Sequence, residues 1–441
     1  MLPERDMNFQ SPITVVGNLR ESYRVVKRIG WFLRAFGQEV LKTQPNASWV
    51  DAASYGRPHP GVESSGDLFE GYREEGERIP DHLRHVRKVE CLGRTTRGLN
   101  LSESNFAFLL NTKVHGTTWQ RDIRLVTSSR GIPCEVWQEY PQTIQMALPP
   151  QRNKCLPFYV RLAPEIFLEY ATAELLDRRG FENGVQVILH ANTEEMTETS
   201  LVVPLQGAIT KRGEAVAHGH TPHTLRVLSA PGPDVQVLCM DGKTPLRVVL
   251  MERELAGEVW DVASPHGALV AASNLRLLES ALLSGSTTVS VQADEEAFYL
   301  FLLTPSRPEM RGSLQVVDET WEPEFGLYRA SGNLSLPRPQ LAFSRSTVGT
   351  SFVCEAEIGP NLLDGLRDLV LCAIYEGTCA KAMLNARVIS GHAFGSHLFW
   401  QIGLRDWMGE GGLLRIEFEN CRKADISIRP IVKFEVEMAW R

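Results

Sequence analysis

The sequence predicts a mainly β protein of successive β-sandwich or jelly-roll domains, opened by a single helix. Short runs rich in β-branched and aromatic residues follow one another from about residue 85. Gly, Pro, Asn and Ser separate these runs at close spacing, which is typical of sandwiches and jelly rolls. The chain has 441 residues, and that length favours about three domains.

The predicted helix lies near the N-terminus. Its apolar residues recur every three to four positions, at Leu19, Tyr23, Val26, Ile29, Leu33, Phe36 and Val40. Asn18 precedes this stripe and Glu21 follows three residues later, which fits a capping box. The pattern ends before Thr43-Gln44-Pro45, because proline cannot continue a helix.

The remaining chain is expected to divide at changes of composition. Residues 46–84 are rich in glycine, proline and acids, which is typical of a linker. Strand-like runs follow, and Pro337-Arg338-Pro339 marks a second connection. The expected segments are 1–45 with the helix, the linker 46–84, a small β domain 85–155, a β-sandwich 156–336 and a C-terminal jelly roll 337–441.

Charge and cysteine content exclude several classes of protein. The formal charge is −7 and the pI is 5.9, which argues against nucleic acid as a partner because phosphate binding needs a basic surface. No apolar run of transmembrane length occurs, so no membrane span is expected. The polar residues 1–6 predict no signal peptide and a cytoplasmic protein. Eight cysteines without a C-x-x-C pair predict buried free thiols.

Motifs for nucleotide, metal and cofactor chemistry are missing. Gly242-Lys243-Thr244 lacks the preceding glycine of a phosphate-binding loop, and no G-x-S-x-G, H-E-x-x-H or EF-hand pattern occurs. His218-Gly219-His220-Thr221-Pro222-His223 places three imidazoles within six residues. A polar hairpin tip is the preferred interpretation over a metal site. We therefore expect no metal and no cofactor.

Two further residue types bear on carbohydrate chemistry. Glycoside hydrolysis needs two carboxylates about 5 to 10 Å apart, but the acid pairs are interpreted as solvated strand edges, at Glu194-Glu195, Glu295-Glu296 and Glu417-Phe418-Glu419. Trp400 is either a core aromatic or a platform on which a sugar ring stacks. Trp400, Ile402 and Leu404 alternate along a strand-like run, which predicts that they share a buried face.

Four segments are similar to known sequence patterns, and they occur in the same order as those patterns do. Residues 11–23 are similar to an "(A/S)-P-I…G…" phrase that leads into a helix, and residues 105–111 with Gln120-Arg121-Asp122 are similar to a "G-F-L-F-x-N…Q-R" hairpin. Residues 168–176 are similar to "L-R-Y-A-T-A-x-L-L". Residues 374–377 with 381–385, and then 389–404, are similar to "l-i-x-D-x-F-x-x-G-x-x-W-x-I-G-L" and the strand pair before it. Together they resemble the region that follows the catalytic barrel in family-35 glycoside hydrolases, the β-galactosidase family.

The resemblance has clear departures and one large gap. His392 stands where the pattern has aspartate, His397 where it has glycine, and Thr378 where "G-D" is usual. A catalytic (β/α)₈ barrel takes about 250 residues, and only the helix after its last strand has a counterpart here. The resemblance therefore carries over no catalytic residue. It places Asp6, Asn8 and Phe9 at the lip of the active site, the alternative being a disordered tail.

The resulting hypothesis is a non-catalytic C-terminal portion or accessory subunit of a β-galactosidase-like glycoside hydrolase acting in carbohydrate metabolism. Its expected partners are carbohydrate and a separate catalytic-barrel chain, or further copies of itself. The alternatives are a stand-alone carbohydrate-binding or scaffold β-sandwich protein, and an enzyme active alone. In the family the first helix packs on the barrel. We therefore expect its apolar stripe to be exposed here, and expect deletion of residues 1–44 to leave stability nearly unchanged.

Overall fold

The computed structural model describes most of the chain beyond residue 20. The described residues are 12–13, 21–45, 50–54, 87–88, 90–96, 104–110, 120–128, 137–144, 146–148, 153–181, 184–193, 195–203, 208–213, 216–221, 223–339, 341–362, 364–392, 396–407, 411–421 and 423–440. Asp6, Asn8 and Phe9 lie outside them, as does most of the expected linker.

The chain divides into two compact units. The central unit comprises residues 28–256, and the C-terminal unit comprises residues 257–441 together with residues 1–27. Helix α1 (Glu21–Leu41) and the short helix α2 (Arg253–Gly257) each contain a point of division. Among the described residues neither helix is long and apolar enough to cross a membrane.

Strands dominate the central unit, which confirms the mainly β prediction there. They are β1 (Thr43–Pro45), β2 (Val50–Ser54), β3 (Arg87–Lys88), β4 (Glu90–Thr96), β5 (Asn105–Leu110), β6 (Gln120–Ser128), β7 (Trp137–Tyr140), β8 (Met146–Leu148), β9 (Asn153–Ala163), β10 (Ile166–Ala171), β11 (Glu174–Phe181), β12 (Gly184–Ala191), β13 (Thr197–Val202), β14 (Ile209–Arg212), β15 (Val216–Thr221), β16 (Thr224–Ser229), β17 (Gln236–Met240) and β18 (Leu246–Glu252).

Three sheets form the layers of the central unit. The largest has the order β1-β4-β5-β9-β10-β13-β16-β15, the second β11-β12-β18-β17-β14, and the third β3-β2-β6-β7 with β8 beside β6. The strand pairs are antiparallel except β12 with β18, which is parallel. Phe106 on β5 points into the core shared with the second sheet, whereas its neighbour Ala107 points into a core with β7 and β8. Alternation along one strand thus fills a core on each face of the largest sheet.

The C-terminal unit is also built of strands. They are β19 (Val259–Ser264), β20 (Gly267–Ser273), β21 (Arg276–Leu283), β22 (Ser286–Ala293), β23 (Ala297–Leu303), β24 (Pro308–Gly312), β25 (Gln315–Glu322), β26 (Leu327–Asn333), β27 (Ser344–Val348), β28 (Ser351–Ile358), β29 (Asp368–Glu376), β30 (Cys379–Leu384), β31 (Arg387–His392), β32 (Ser396–Gly403), β33 (Gly412–Glu419) and β34 (Ala424–Trp440), with a 3-10 turn at Arg405–Trp407.

Two sandwich cores in the C-terminal unit share one sheet. That sheet has the order β21-β22-β34-β29-β32, with β24 beside β34. It packs against β19-β20-β23-β26-β25 around one core and against β27-β28-β33-β30-β31 around the other. The long strand β34 pairs with β29 through its first half and with β22 and β24 through its second half. One continuous strand therefore belongs to both sandwiches.

Two of the expected segment boundaries fall inside continuous sheets. Residue 155 lies within β9, and β9 pairs with β5 on one side and β10 on the other. Residues 337–441 contain β34, which pairs with β22 from the preceding segment. Local composition marks where a strand ends, but the partner of a strand is chosen by long-range packing, so these pairings have no local signal.

The cysteines follow the predicted pattern. Six of them are free among the described residues, and Cys354, Cys372 and Cys421 are buried. Burial raises the pKa of the Cys372 thiol, which keeps it protonated and unreactive.

Candidate functional site

Trp400 lies on β32 and is only 4% exposed. Ile402 and Leu404 are buried beside it, as the alternation predicts. The ring of His392 stacks parallel to the indole at 6.0 Å between centroids, and the Phe418 ring meets it edge-on at 6.2 Å. A ring enclosed in this way presents no free face to a sugar, which favours the core interpretation of Trp400 over the platform.

His392, which departs from the family phrase, is part of the same core. Its Nδ1 lies 2.6 Å from the hydroxyl of Tyr375, and burial lowers the pKa of the imidazole. The neutral ring therefore fills space between Tyr375 and Trp400 while keeping its polar atom bonded. Thr378 donates its backbone N–H to the carbonyl of Glu419 and accepts a bond from Asn420 Nδ2 at 3.1 Å. The side chain of His397 lies outside the described set.

The histidine-rich stretch forms the predicted hairpin. β15 and β16 pair antiparallel, with Thr221 opposite Thr224 and His218 opposite Arg226. His223 is exposed at the turn. Within the described ranges no group of three histidine, cysteine or acidic side chains is placed to hold a metal ion.

One member of an acid pair, Glu195, was interpreted wrongly as a solvated edge, and its neighbour Glu194 lies outside the described residues. Glu195 is 5% exposed, forms an ion pair with the buried Lys154, and accepts a bond from Asn192 Nδ2 at 2.5 Å. Its position in a polar sequence gave no sign of burial, because the lysine that neutralises it lies 41 residues earlier. Glu295 and Glu296 are exposed, as expected.

A second, largely buried acid, Glu174, lies near this pair, with its side chain 16% exposed. Its carboxylate accepts the backbone N–H of Cys155 at 2.9 Å and lies 3.6 Å from Arg253 Nη1. Burial raises the pKa of Glu174 and lowers the pKa of His190, whose Nδ1 is 4.0 Å from the same carboxylate. Perturbed acids are typical of catalytic sites, but His190 and Lys154 are 4% and 3% exposed. The cluster is closed to substrate, so we assign it to the core.

Glu198 is a third buried acid with a structural role. It is wholly buried, and its carboxylate accepts the backbone N–H groups of Gln142, Thr143 and Ile144 at 3.0, 2.8 and 3.1 Å. The hydroxyl of Tyr170 also donates to it. Three backbone donors on one carboxylate hold the turn after β7 in place.

A polar cavity opens within the C-terminal unit. Its volume is about 280 Å³, and its walls come from the first turns of α1, from the start of β19 and from the turns around residues 274 and 294. Trp260 forms part of the wall and is 9% exposed. The Lys27 ammonium lies 3.1 Å from the centre of that indole. Burial lowers the pKa of Lys27 to about 7.

Most charges lining this cavity are paired. Arg24 forms an ion pair with Glu258, and Asp294 lies 3.3 Å from Arg276 Nη2 and 3.4 Å from Arg429 Nη1. Two buried donor atoms are not paired: Lys27 Nζ and Arg276 Nη1 have no hydrogen-bond partner. An unsatisfied buried donor costs about 1–3 kcal/mol, so these two atoms mark a place where a water or a ligand is expected.

Sequence reasoning missed this cavity entirely. Its wall residues come from five separated stretches of chain, and none of them forms a motif. The one available signal was Lys27 inside the helical pattern, next to the apolar stripe.

Helix α1 carries the other candidate surface, an apolar face that the described residues leave uncovered. This outer face consists of Val26, Ile29, Leu33 and Leu41, which are 52%, 51%, 48% and 77% exposed, and of Gly30 and Gly37 between them. A Cβ atom added at either glycine would meet no other atom within 4 Å. The prediction of an exposed stripe is confirmed for Val26, Ile29 and Leu33.

The opposite, inner face of α1 contradicts the rest of that prediction. Phe36 is fully buried, and Trp31 is 7% exposed. Phe32 meets Phe106 of β5 edge-on at 5.7 Å, so this half of the helix packs on its own unit. Arg178 of β11 donates to the carbonyl of Ala35 at 3.1 Å and to Glu39 at 2.7 Å. This half of the helix is therefore part of the central core, which contradicts the assumption behind the expected effect of the deletion, that the stripe has nothing in this chain to pack on.

Comparison with known proteins gives little. No family model matches the sequence, and no curated protein matches it. Among solved structures, the chain is similar to the GH31 alpha-xylosidase from Xanthomonas citri, with 7% identity and a TM-score of 0.16 over 61% of this chain and 38% of the xylosidase chain. The chain thus spans well under half the length of that protein. A likeness at this TM-score supports neither a fold nor an activity.

Proposed function

We propose that this chain is the non-catalytic, post-barrel portion or accessory subunit of a β-galactosidase-like glycoside hydrolase, and that a catalytic chain docks on the outer face of α1. The observation that carries the proposal is the outer face itself. An amphipathic surface helix usually has one apolar side against the core and one polar side in water. This helix is apolar on both sides, and the described residues cover only the inner one.

The energetics favour a docking role for this face. Complete burial of an aliphatic side chain contributes about 1.5–3 kcal/mol. Val26, Ile29 and Leu33 are each about half exposed, so a partner would gain on the order of 1 kcal/mol from each. The three positions follow one another at helical spacing and form a continuous strip.

The two glycines support the same conclusion. A glycine inside a helix costs about 0.8–1.0 kcal/mol relative to alanine. Among the described residues nothing requires the absence of a side chain at Gly30 or Gly37, because the space around both is open. A partner backbone that approaches the helix closely at these points would supply the reason.

The resemblance to family-35 hydrolases suggests which protein would bind the outer face of α1. Residues 11–23 are similar to the phrase that, in family-35 hydrolases, leads from the last barrel strand into a helix packed on the barrel. Helix α1 is the counterpart of that helix, and its outer face corresponds to a surface that a barrel covers in the family. A separate catalytic barrel therefore fits the outer face better than another copy of the chain does.

The binding experiment uses the full chain and a family-35 catalytic barrel produced as a separate protein. Light scattering after size exclusion should give a one-to-one complex, and Leu33→Lys should abolish it. The matched control is Val317→Lys, since Val317 is 73% exposed on β25. No complex with the wild-type chain, or equal loss with both variants, would contradict the proposal. Self-association that Leu33→Lys abolishes would instead assign the face to a second copy.

The isolated chain should not hydrolyse nitrophenyl β-galactoside or β-glucosaminide. Turnover that co-purifies with the chain and disappears on substitution of one of its own glutamates would overturn the non-catalytic assignment. The alternative, stand-alone carbohydrate binding, predicts glycan binding without a partner on a glycan array. It lost its main support with the burial of Trp400, which is stacked against His392 and not available to a sugar.

A further inference from the structure

The polar cavity of the C-terminal unit combines features that a closed core cluster lacks. It is open enough to have a volume of about 280 Å³, near the lower end of small-ligand pockets. Its wall holds two buried donors without partners, Lys27 Nζ and Arg276 Nη1. By contrast, the carboxylate of Glu198 in the central unit is fully bonded. The cavity is therefore incomplete in a way that the buried clusters are not.

The donors and acceptors of the cavity wall indicate which class of ligand would satisfy them. Lys27 and Arg276 offer N–H donors, and both suit a carboxylate, which accepts several charge-assisted bonds. The same cavity also offers acceptors: Glu295 is exposed and receives only a long bond from Asn274 Nδ2, at 3.4 Å. Donors for an acid group beside acceptors for hydroxyl groups fit a polyhydroxylated acid.

We propose that this cavity binds a monosaccharide-sized sugar acid, with its carboxylate held by the side chains of Lys27 and Arg276, which line the cavity, and its hydroxyl groups on the acidic wall. The volume limits the ligand to about one sugar ring. Binding here does not require a partner on α1, because no residue of the outer face lines the cavity. Trp260 serves as a support for the Lys27 ammonium, which lies over its ring.

The protonation of Lys27 should couple ligand binding to proton uptake, which can be measured. Burial and the Arg24 guanidinium lower the pKa of Lys27, whereas Glu258 and Asp261 raise it. Because the value is about 7, part of the population is neutral at neutral pH. A bound carboxylate favours the charged ammonium, so binding should take up protons.

Isothermal titration of the full chain tests the proposal with four probes: glucuronate, galacturonate, neutral galactose and acetate. At least one uronate should bind, and galactose and acetate should bind at least about tenfold more weakly, since each lacks half of the recognised groups. The apparent enthalpy should change with the ionisation enthalpy of the buffer, which reports proton uptake by Lys27.

Two variants and a control connect the binding to the cavity. Lys27→Gln and Arg276→Gln should each weaken uronate binding about ten- to hundredfold, through the loss of one charge-assisted bond. Lys433→Gln is the matched control, because Lys433 is exposed on β34 and does not line the cavity. The urea midpoint of each variant establishes that it is folded.

Three results would overturn the proposal. The first is no binding of either uronate to the wild-type chain, which would leave water as the partner of the two donors. The second is equal binding of acetate or galactose. The third is uronate binding that survives both Lys27→Gln and Arg276→Gln in folded protein.

Discussion

The two faces of helix α1 are both apolar, yet the central unit covers only one of them. On the inner face, Phe36 is 0% and Trp31 7% exposed, whereas on the outer face Ile29 and Leu33 are 51% and 48% exposed. The inner face is aromatic and the outer face is aliphatic, interrupted by glycine. The difference shows that an apolar helical stripe identifies a surface that needs a partner, but does not identify which partner.

The inner face is also fixed by polar contacts that the outer face lacks. The Arg178 guanidinium lies 4.9 Å from the Phe36 ring and bonds both Ala35 and Glu39. Asp177 of β11 is buried beside it and lies 3.9 Å from Arg34 Nη2 of α1. These contacts hold α1 against β11. The five predictions that follow test this division between the two faces.

The largest effect is expected from Phe36→Ala. Removing a fully buried phenyl ring loses its transfer free energy and leaves a cavity, at a cost of about 3–5 kcal/mol. The urea midpoint should fall clearly while the m-value stays constant. A midpoint close to that of the wild type would mean that α1 is not part of the folded core.

A smaller loss is expected from Arg178→Ala. The variant removes charge-assisted bonds to α1 and the stem that packs on Phe36, for about 1–2 kcal/mol because the side chain is partly exposed. Arg161→Ala is the control, since its exposed side chain donates to the nearby carbonyl of Pro164 and lies 5.7 Å from the Phe167 ring, and both of these residues are outside α1. Equal effects of the two substitutions on the unfolding free energy would show that Arg178 makes no specific contribution to holding α1 against β11.

Lys27 should make stability depend on pH. Its pKa is about 7 in the folded chain against an ordinary value of 10.5. Between these values the unfolded chain binds a proton that the folded chain has released, so the free energy of unfolding increases as pH rises through this range. Below about pH 7 both states bind the proton, and the contribution no longer changes.

The measurement compares urea midpoints of the wild type and Lys27→Met across that range. The difference between the two proteins should shift in favour of the wild type as pH rises. A difference that is independent of pH would show that Lys27 keeps an ordinary pKa.

Gly37→Ala should stabilise the isolated chain. The helix gains about 0.5–1 kcal/mol from the loss of glycine flexibility, and the added methyl group meets open space. The thermal midpoint should rise, and the affinity for a docked catalytic barrel should fall. A thermal midpoint that falls instead would show that Gly37 is constrained within this chain.

The smallest effect is expected from Leu33→Ala, within about 0.5 kcal/mol of the wild type in unfolding free energy. The side chain is 48% exposed and is free of the inner-face core. A loss approaching that of Phe36→Ala would mean that the outer face is already covered by the chain itself.

Much of the secondary structure was accessible from local pattern. The helix ends at Leu41, close to the predicted Thr43-Gln44-Pro45, and the run around Trp400 is a strand with the expected buried alternation. Both predictions rest on periodicity over a few residues, which local geometry enforces. The burial of Glu195 and the cavity around Lys27 were missed because their residues meet across long stretches of chain.

The sequence by itself determined the mainly β class, the one long helix, the free cysteines and the alternation that buries Trp400. Each follows from side-chain size and spacing along a few turns or strands. Only the tertiary structure decided which face of α1 is covered, that β9 and β34 connect the expected segments, and that Lys27 and Arg276 line one cavity. These outcomes depend on which distant strands pair, a choice made by the summed packing of whole sheets and not by any single segment.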